Sequence, residues 1–270
     1  MNFTLWQVDA FAAKPLEGNP AAIVPLQDWL DDALMQRIAL ENNLSETAFL
    51  VPQGKGRYGL RWFTPASEVD LCGHATLASA YVIFAELAPD LARVDFETRS
   101  GMLSVEKGAD GIHRMSMPAD PVAAFAAPSG FEARIGAALG VSPPREIHLG
   151  RYALALWNDA ATVRDIRPTG QLEAVLASIG IWGLIATARG DGGYDFVSRF
   201  FAPAKGVAED PVTGSAHCAL APFWARRLEK TKLKARQVSP RGGDVTCEIA
   251  GERVILSGPC ALYLKGETTL

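Results

Sequence analysis

The chain has 270 residues, with 26 Lys+Arg against 30 Asp+Glu and a net charge of -4. That length suits two compact domains, and 49% hydrophobic residues supply enough apolar material for their cores while excluding a disordered chain. The densest basic cluster, Arg226 to Lys234, is interrupted by Leu228, Glu229 and Leu233, so no stripe follows a phosphate backbone and nucleic acid is not an expected partner.

Thr4 to Val8 is the first strand-like run, followed by an amphipathic helix from about Leu30 to Asn42, with Leu30, Leu34 and Ile38 on one face and Asp28, Asp31 and Asp32 near its positive end. Strand signals recur at Ala48 to Val51, Tyr58 to Phe63, Val94 to Phe96, Leu103 to Glu106 and Arg114 to Met117. Glycines punctuate many of them, which favours antiparallel turns. From Gly73 through Leu87 almost every residue is apolar or small, and a helix with no polar face must be enclosed on nearly all sides. A curved sheet wrapped around this helix is the expected solution. Gly214 to Leu228 reads the same way, with Pro222 able to kink or delay the helix.

Pro118 to Pro128 has three prolines and no period, and is read as a linker. Strand-like runs resume at Ile147 to Leu149, Ala153 to Trp157, Leu184 to Thr187, Phe196 to Phe201, Val245 to Ile249, Val254 to Leu256 and Ala261 to Leu264. An N-terminal domain over residues 1–117 and a C-terminal domain over 118–258 follow. The segment from Phe63, FTPASEVDLCGHATLASA, echoes FAPAKGVAEDPVTGSAHCAL from Phe201 in order and approximate spacing, which points to a duplication.

Cys72, Cys218, Cys247 and Cys260 lie far apart, without the spacing of a zinc ribbon or redox dithiol. The N-terminal residues carry no basic, apolar leader and no run approaches a membrane span, so the reading is a cytoplasmic chain with reduced thiols and no membrane partner. No phosphate loop or dinucleotide fingerprint occurs, and neither a cofactor nor a metal is expected.

The chemistry-bearing residues cluster at the two glycine-started helices. Helix N-termini offer unpaired N–H groups beside a partial positive charge, so Gly73 and Gly214 each mark a site for an anion such as a substrate carboxylate, or else merely a tight turn. Around them lie Asp70, Cys72 and His74, and in the second copy Asp210, Thr213, Ser215 and His217. His74 suits proton transfer or helix packing, Ser215 a substrate contact or an N-cap, and the Glu209-Asp210-Pro211 carboxylates a site or a solvated loop. Glu46 stands between a helix and a strand among Leu44, Ala48 and Phe49. Desolvation there would raise its pKa toward the range a general acid/base needs.

Taken together, VDAFxxxPLEGNPAAIV, NNLSETAFL, FTPASEVDLCGHATLASA and EDPVTGSAH resemble the PhzF-like isomerases of phenazine biosynthesis. The resemblance implies an α/β (α+β) fold similar to diaminopimelate epimerase: two pseudo-symmetric domains, each a curved, mostly antiparallel sheet around a central helix, with the active site between them. It also implies that the C-terminal strand, residues 259–270, completes the first domain. In such proteins Glu46 would move the proton, His74 and Asp210 would lie near the reacting atoms, and Gly73, Gly214 and Ser215 would hold the substrate carboxylate. Asn19 and Cys72 receive no role. A homodimer is implied by the family alone. Related racemases pair two thiols, but Thr213 stands where the second would be, so a cysteine-assisted racemase and a non-catalytic metabolite-binding protein are the alternatives.

Overall fold

A computed structural model describes residues 2–269. The chain divides into two compact units, residues 1–117 with 255–270, and residues 118–254. The return to the first unit therefore begins at Ile255, earlier than the segment expected from residue 259.

The first unit opens with β1 (Asn2–Ala10), β2 (Asn19–Pro25), α1 (Asp32–Asn42), β3 (Glu46–Gly54), β4 (Arg57–Phe63) and β5 (Glu68–Val69). It continues with α2 (Gly73–Val82), β6 (Arg93–Thr98), β7 (Gly101–Lys107) and β8 (His113–Pro118). Helix α1 starts later than its apolar spacing suggests, because the Asp31 carboxylate accepts the Ala33 N–H at 3.0 Å and caps it there. β2 pairs antiparallel with β1 and parallel with β3, and β4 pairs antiparallel with β3 and parallel with β6. Each parallel step needs a crossover, and α1 and α2 supply them.

The second unit contains β9 (Ala123–Ala124), α3 (Phe131–Leu139), β10 (Glu146–Leu149), β11 (Ala153–Leu156), α4 (Ala160–Arg164), α5 (Leu172–Ala177), β12 (Leu184–Arg189) and β13 (Phe196–Ala202). After these come β14 (Val207–Asp210), α6 (Gly214–Leu228), β15 (Lys232–Gln237) and β16 (Gly243–Ala250). From β10 to β16 the pairing repeats the first unit step for step: antiparallel, parallel across α4 and α5, antiparallel twice, then parallel across α6 and antiparallel. This is the duplication written in topology. The chain ends with β17 (Arg253–Gly258) and β18 (Cys260–Thr269), and β18 pairs along β1 from Asn2 to Ala10.

Alternation along β2 assigns the two faces of the first unit's sheet. Ala22 and Val24 pack with Met35, Ile38 and Phe49 beneath α1. Asn19, Ala21 and Ile23 therefore share the opposite face, toward α2. Every residue of α2 except Tyr81 is buried, and its neighbours are β1, β2, β3 and β18, as a helix without a polar face requires. α2 does not run unbroken to Leu87: its last residues, Ile83–Leu87, form a π-helical turn in which the Ala88 N–H reaches the Ile83 carbonyl at 2.7 Å. Pro222 sits inside α6 without ending it. Five strands were not expected from the sequence: β2, β5, β9, β14 and β15, with β9 lying inside the stretch read as a linker. In β2 two prolines and an alanine pair obscure the alternation, and in β15 the lysines and arginine mask buried Leu233, Ala235 and Gln237.

Candidate active site

In the first unit, parallel pairing places Glu46 opposite Ala21, so its side chain projects on the same face as Asn19, toward the start of α2. There His74, only 4% exposed, is the centre of a cluster. Its Nε2 lies 2.9 Å from Glu46 Oε2. The approach is off the N–H axis, so it is an ion-pair contact, and neither atom gains an aligned hydrogen bond. On the other side of the ring, Nδ1 lies 3.1 Å from Asn19 Nδ2 and 3.5 Å from Cys72 Sγ. Gly73, between Cys72 and His74, opens the helix, and Cys72 is its N-cap residue without a side-chain cap bond.

Burial pushes the Cys72 thiol up to about 11, and the nearby Glu46 carboxylate pushes it further, against the opposing pull of His74. Cys72 is therefore a thiol at neutral pH and a poor base. For His74, burial works against the charged ring, but Cys72 and Glu46 outweigh it and hold the imidazole above its ordinary value. With Cys72 protonated, Glu46 is the anion that retains a proton on the ring. Ligand-type atoms of Glu46, Cys72 and His74 lie within 4.8 Å of one another. Glu46 and Cys72 meet opposite nitrogens of the imidazole, however, so the ring stands between them, which suits proton transfer at the ring better than one ion held by all three.

The second unit builds its own cluster at the start of α6. Asp210 ends β14 and so belongs to a strand, where the sequence reading had placed it in a loop. Its neighbour Glu209 is engaged elsewhere: both carboxylate oxygens meet Arg199 at 2.7 Å. The Thr213 hydroxyl donates to Asp210 Oδ2. Gln237, fully buried on β15, clamps the turn, donating to the Asp210 carbonyl at 2.6 Å and accepting the Thr213 N–H at 2.9 Å. Ser215 is not an N-cap. Its hydroxyl meets the Tyr152 hydroxyl at 2.9 Å, and the N-cap position belongs to Thr213. His217 is buried with Nδ1 donating to the Thr213 carbonyl at 2.8 Å, and burial lowers it to about 4, so it is neutral and no acid catalyst at neutral pH.

The structure thus gathers Glu46, Gly73 and His74 in one unit, and Asp210, Gly214 and Ser215 in the other. Asn19, to which no role is assigned from its motif alone, closes the first cluster; its place beside a glycine in a tight turn is the available signal. Gln237 and Tyr152 carried no local signal, because their partners Thr213 and Ser215 lie 24 and 63 residues away in sequence.

The family profile described as "Phenazine biosynthesis-like protein" matches residues 8–267. The chain belongs to this family. An uncharacterized isomerase of Pseudomonas aeruginosa is 48% identical over 98% of both chains. The crystal structure of a PhzF-family protein from Enterococcus faecalis is 44% identical, covers 100% of each chain and superposes with a TM-score of 0.92. A hydroxyproline epimerase from Agrobacterium vitis, crystallised with bound trans-4-hydroxy-L-proline, is only 13% identical but has a TM-score of 0.62 over 100% of this chain and 93% of that one. That likeness concerns the fold alone, and places it among epimerase-like folds. By family the chain is an isomerase. Among the described residues, no helix is long and apolar enough to cross a membrane.

Proposed function

We propose that this isomerase moves a proton between carbons of a small carboxylate-bearing substrate without a cofactor, with Glu46 as the acid/base. The observation that carries this reading is the Glu46 oxygen poised 2.9 Å from the buried His74 Nε2 yet free of any aligned hydrogen bond. A carboxylate in that position takes a proton from an acidic C–H and returns it to another carbon, while His74 stabilises the charge it leaves behind. The protonated state of Cys72 supports a single-carboxylate shift over a thiol-based racemisation. At the position of a second thiol, Thr213 carries a hydroxyl committed to Asp210.

The N–H groups opening α2 and α6, at Gly73 and Gly214, suit a substrate carboxylate, and Ser215 adds a hydroxyl. Asp210, buttressed by Thr213 and Gln237, is assigned a polar contact to the substrate, as the family resemblance implies. The test is to incubate the protein in deuterated water with a panel of small unsaturated or keto acids and to read carbon-bound deuterium by mass spectrometry. An acid that exchanges with the wild type should lose about 10²- to 10⁴-fold in rate with Glu46→Gln. Equal rates in the two proteins would remove Glu46 from the chemistry.

A further inference from the structure

Asn19 is fully buried and is delivered to its position with little freedom. It is the first residue of β2, paired with Ala10 of β1. Gly18 before it has φ +64°, and a Cβ there would lie 2.1 Å from the Ala10 carbonyl oxygen, so only glycine makes this turn. Earlier in the same loop the Leu16 N–H is held by the buried Asp9 carboxylate at 2.8 Å, with Leu16 at φ 75° although its side chain is 65% exposed. A bulky exposed residue in the left-handed region is unfavourable, and the fold accepts it while fixing the loop that ends at Asn19.

What this delivers is an amide N–H pointing at His74 Nδ1, beside the Cys72 thiol on the same nitrogen. Both neighbours are donors in these forms, and a nitrogen that accepts from them carries no proton of its own. We propose that Asn19, with Cys72, is a positioning residue that keeps Nδ1 of the neutral His74 ring as an acceptor and so leaves the ring's remaining proton on Nε2, the nitrogen nearest Glu46. In the neutral ring the Glu46 side then carries the N–H, and the imidazole cannot turn its lone pair there. The use made of that proton rests on the acid/base reading of Glu46. The arrangement itself does not depend on turnover.

The test is nuclear magnetic resonance of the ligand-free protein, isotopically labelled at the histidine ring nitrogens and followed from acid to alkaline pH. With only 4 histidines in the chain, the His74 signals are assigned by their loss in His74→Gln. In the wild type the neutral ring should show an unprotonated Nδ1 and a protonated Nε2. Asn19→Asp replaces the donor by an acceptor and should move the Nδ1 signal to the protonated position, while unchanged signals from His113, His148 and His217 show that the fold is kept. A neutral wild-type ring protonated at Nδ1, or a folded Asn19→Asp protein with wild-type His74 signals, overturns the proposal. If the variant does not fold, the wild-type spectrum decides alone. Because no substrate is used, this result is separable from the fate of the Glu46 assignment.

Discussion

Acid should loosen the second unit through one residue, His217. Its ring is fully buried, Nδ1 donates to the Thr213 carbonyl, Nε2 has no hydrogen-bond partner, and its pKa is lowered from 6.5 to about 4 by burial. Between those two values the unfolded chain binds a proton that the folded one refuses, so stability is lost as pH falls from the unfolded value toward the folded one. At 1.36 kcal/mol per pKa unit, the loss from this group is about 2 kcal/mol by roughly pH 5 and about 3 kcal/mol by roughly pH 4. His113, likewise buried and lowered to about 4, adds a similar dependence in the first unit, so a difference measurement is required. His217→Asn keeps a donor near the Thr213 carbonyl and removes the titration. Urea unfolding of both proteins from neutral to acid pH should give curves that converge by about 2 to 3 kcal/mol as pH falls. Parallel curves would refute the assignment of a neutral, buried His217.

Other consequences are equally direct. Gly18→Ala places a Cβ against the Ala10 carbonyl in a left-handed conformation, and should cost at least about 1–3 kcal/mol in denaturant unfolding; a neutral effect would contradict the tight turn. Cys72, 6% exposed and raised to about 11, should alkylate far more slowly than a free thiol at neutral pH in peptide mapping of the native protein, and labelling at the free-cysteine rate would contradict a buried thiol. Arg199→Met strands Glu209, whose side chain is 16% exposed, and should destabilise by about 3 kcal/mol; pairing it with Glu209→Leu should recover much of that loss.

Much of the fold is visible in the chain because packing demands leave marks in composition. A helix such as Gly73–Val82 that lacks a polar face can only be enclosed, and the Phe-x-Pro-Ala echo between Phe63 and Phe201 precedes the same helix in both units. β2 and β15 were hidden for opposite reasons: prolines and alanines blur one alternation, and charged residues on the exposed face dominate the other. At the site, Glu46, His74 and the helix-opening glycines stand in recognisable motifs. Asn19 does not declare its partner, because His74 lies 55 residues away and is reached only through the packing of α2 on β2. Gln237 is similarly silent, since its 24-residue separation from Thr213 is closed by the β13–β15 pairing. For Ser215 the sequence leaves a substrate contact and a helix cap both open, because a serine at a helix start satisfies the backbone in many proteins. Here the Tyr152 hydroxyl engages it instead.

In the proposed reaction a carboxylate, and not a thiol, handles the proton. The most direct measurement compares deuterium incorporation into a turned-over carboxylic acid by wild type, Glu46→Gln and Cys72→Ser, with binding of that acid measured in parallel. Glu46→Gln should bind normally but lose about 10²- to 10⁴-fold in exchange, while Cys72→Ser should continue to exchange. Exchange that survives in Glu46→Gln and vanishes in Cys72→Ser would contradict the carboxylate assignment.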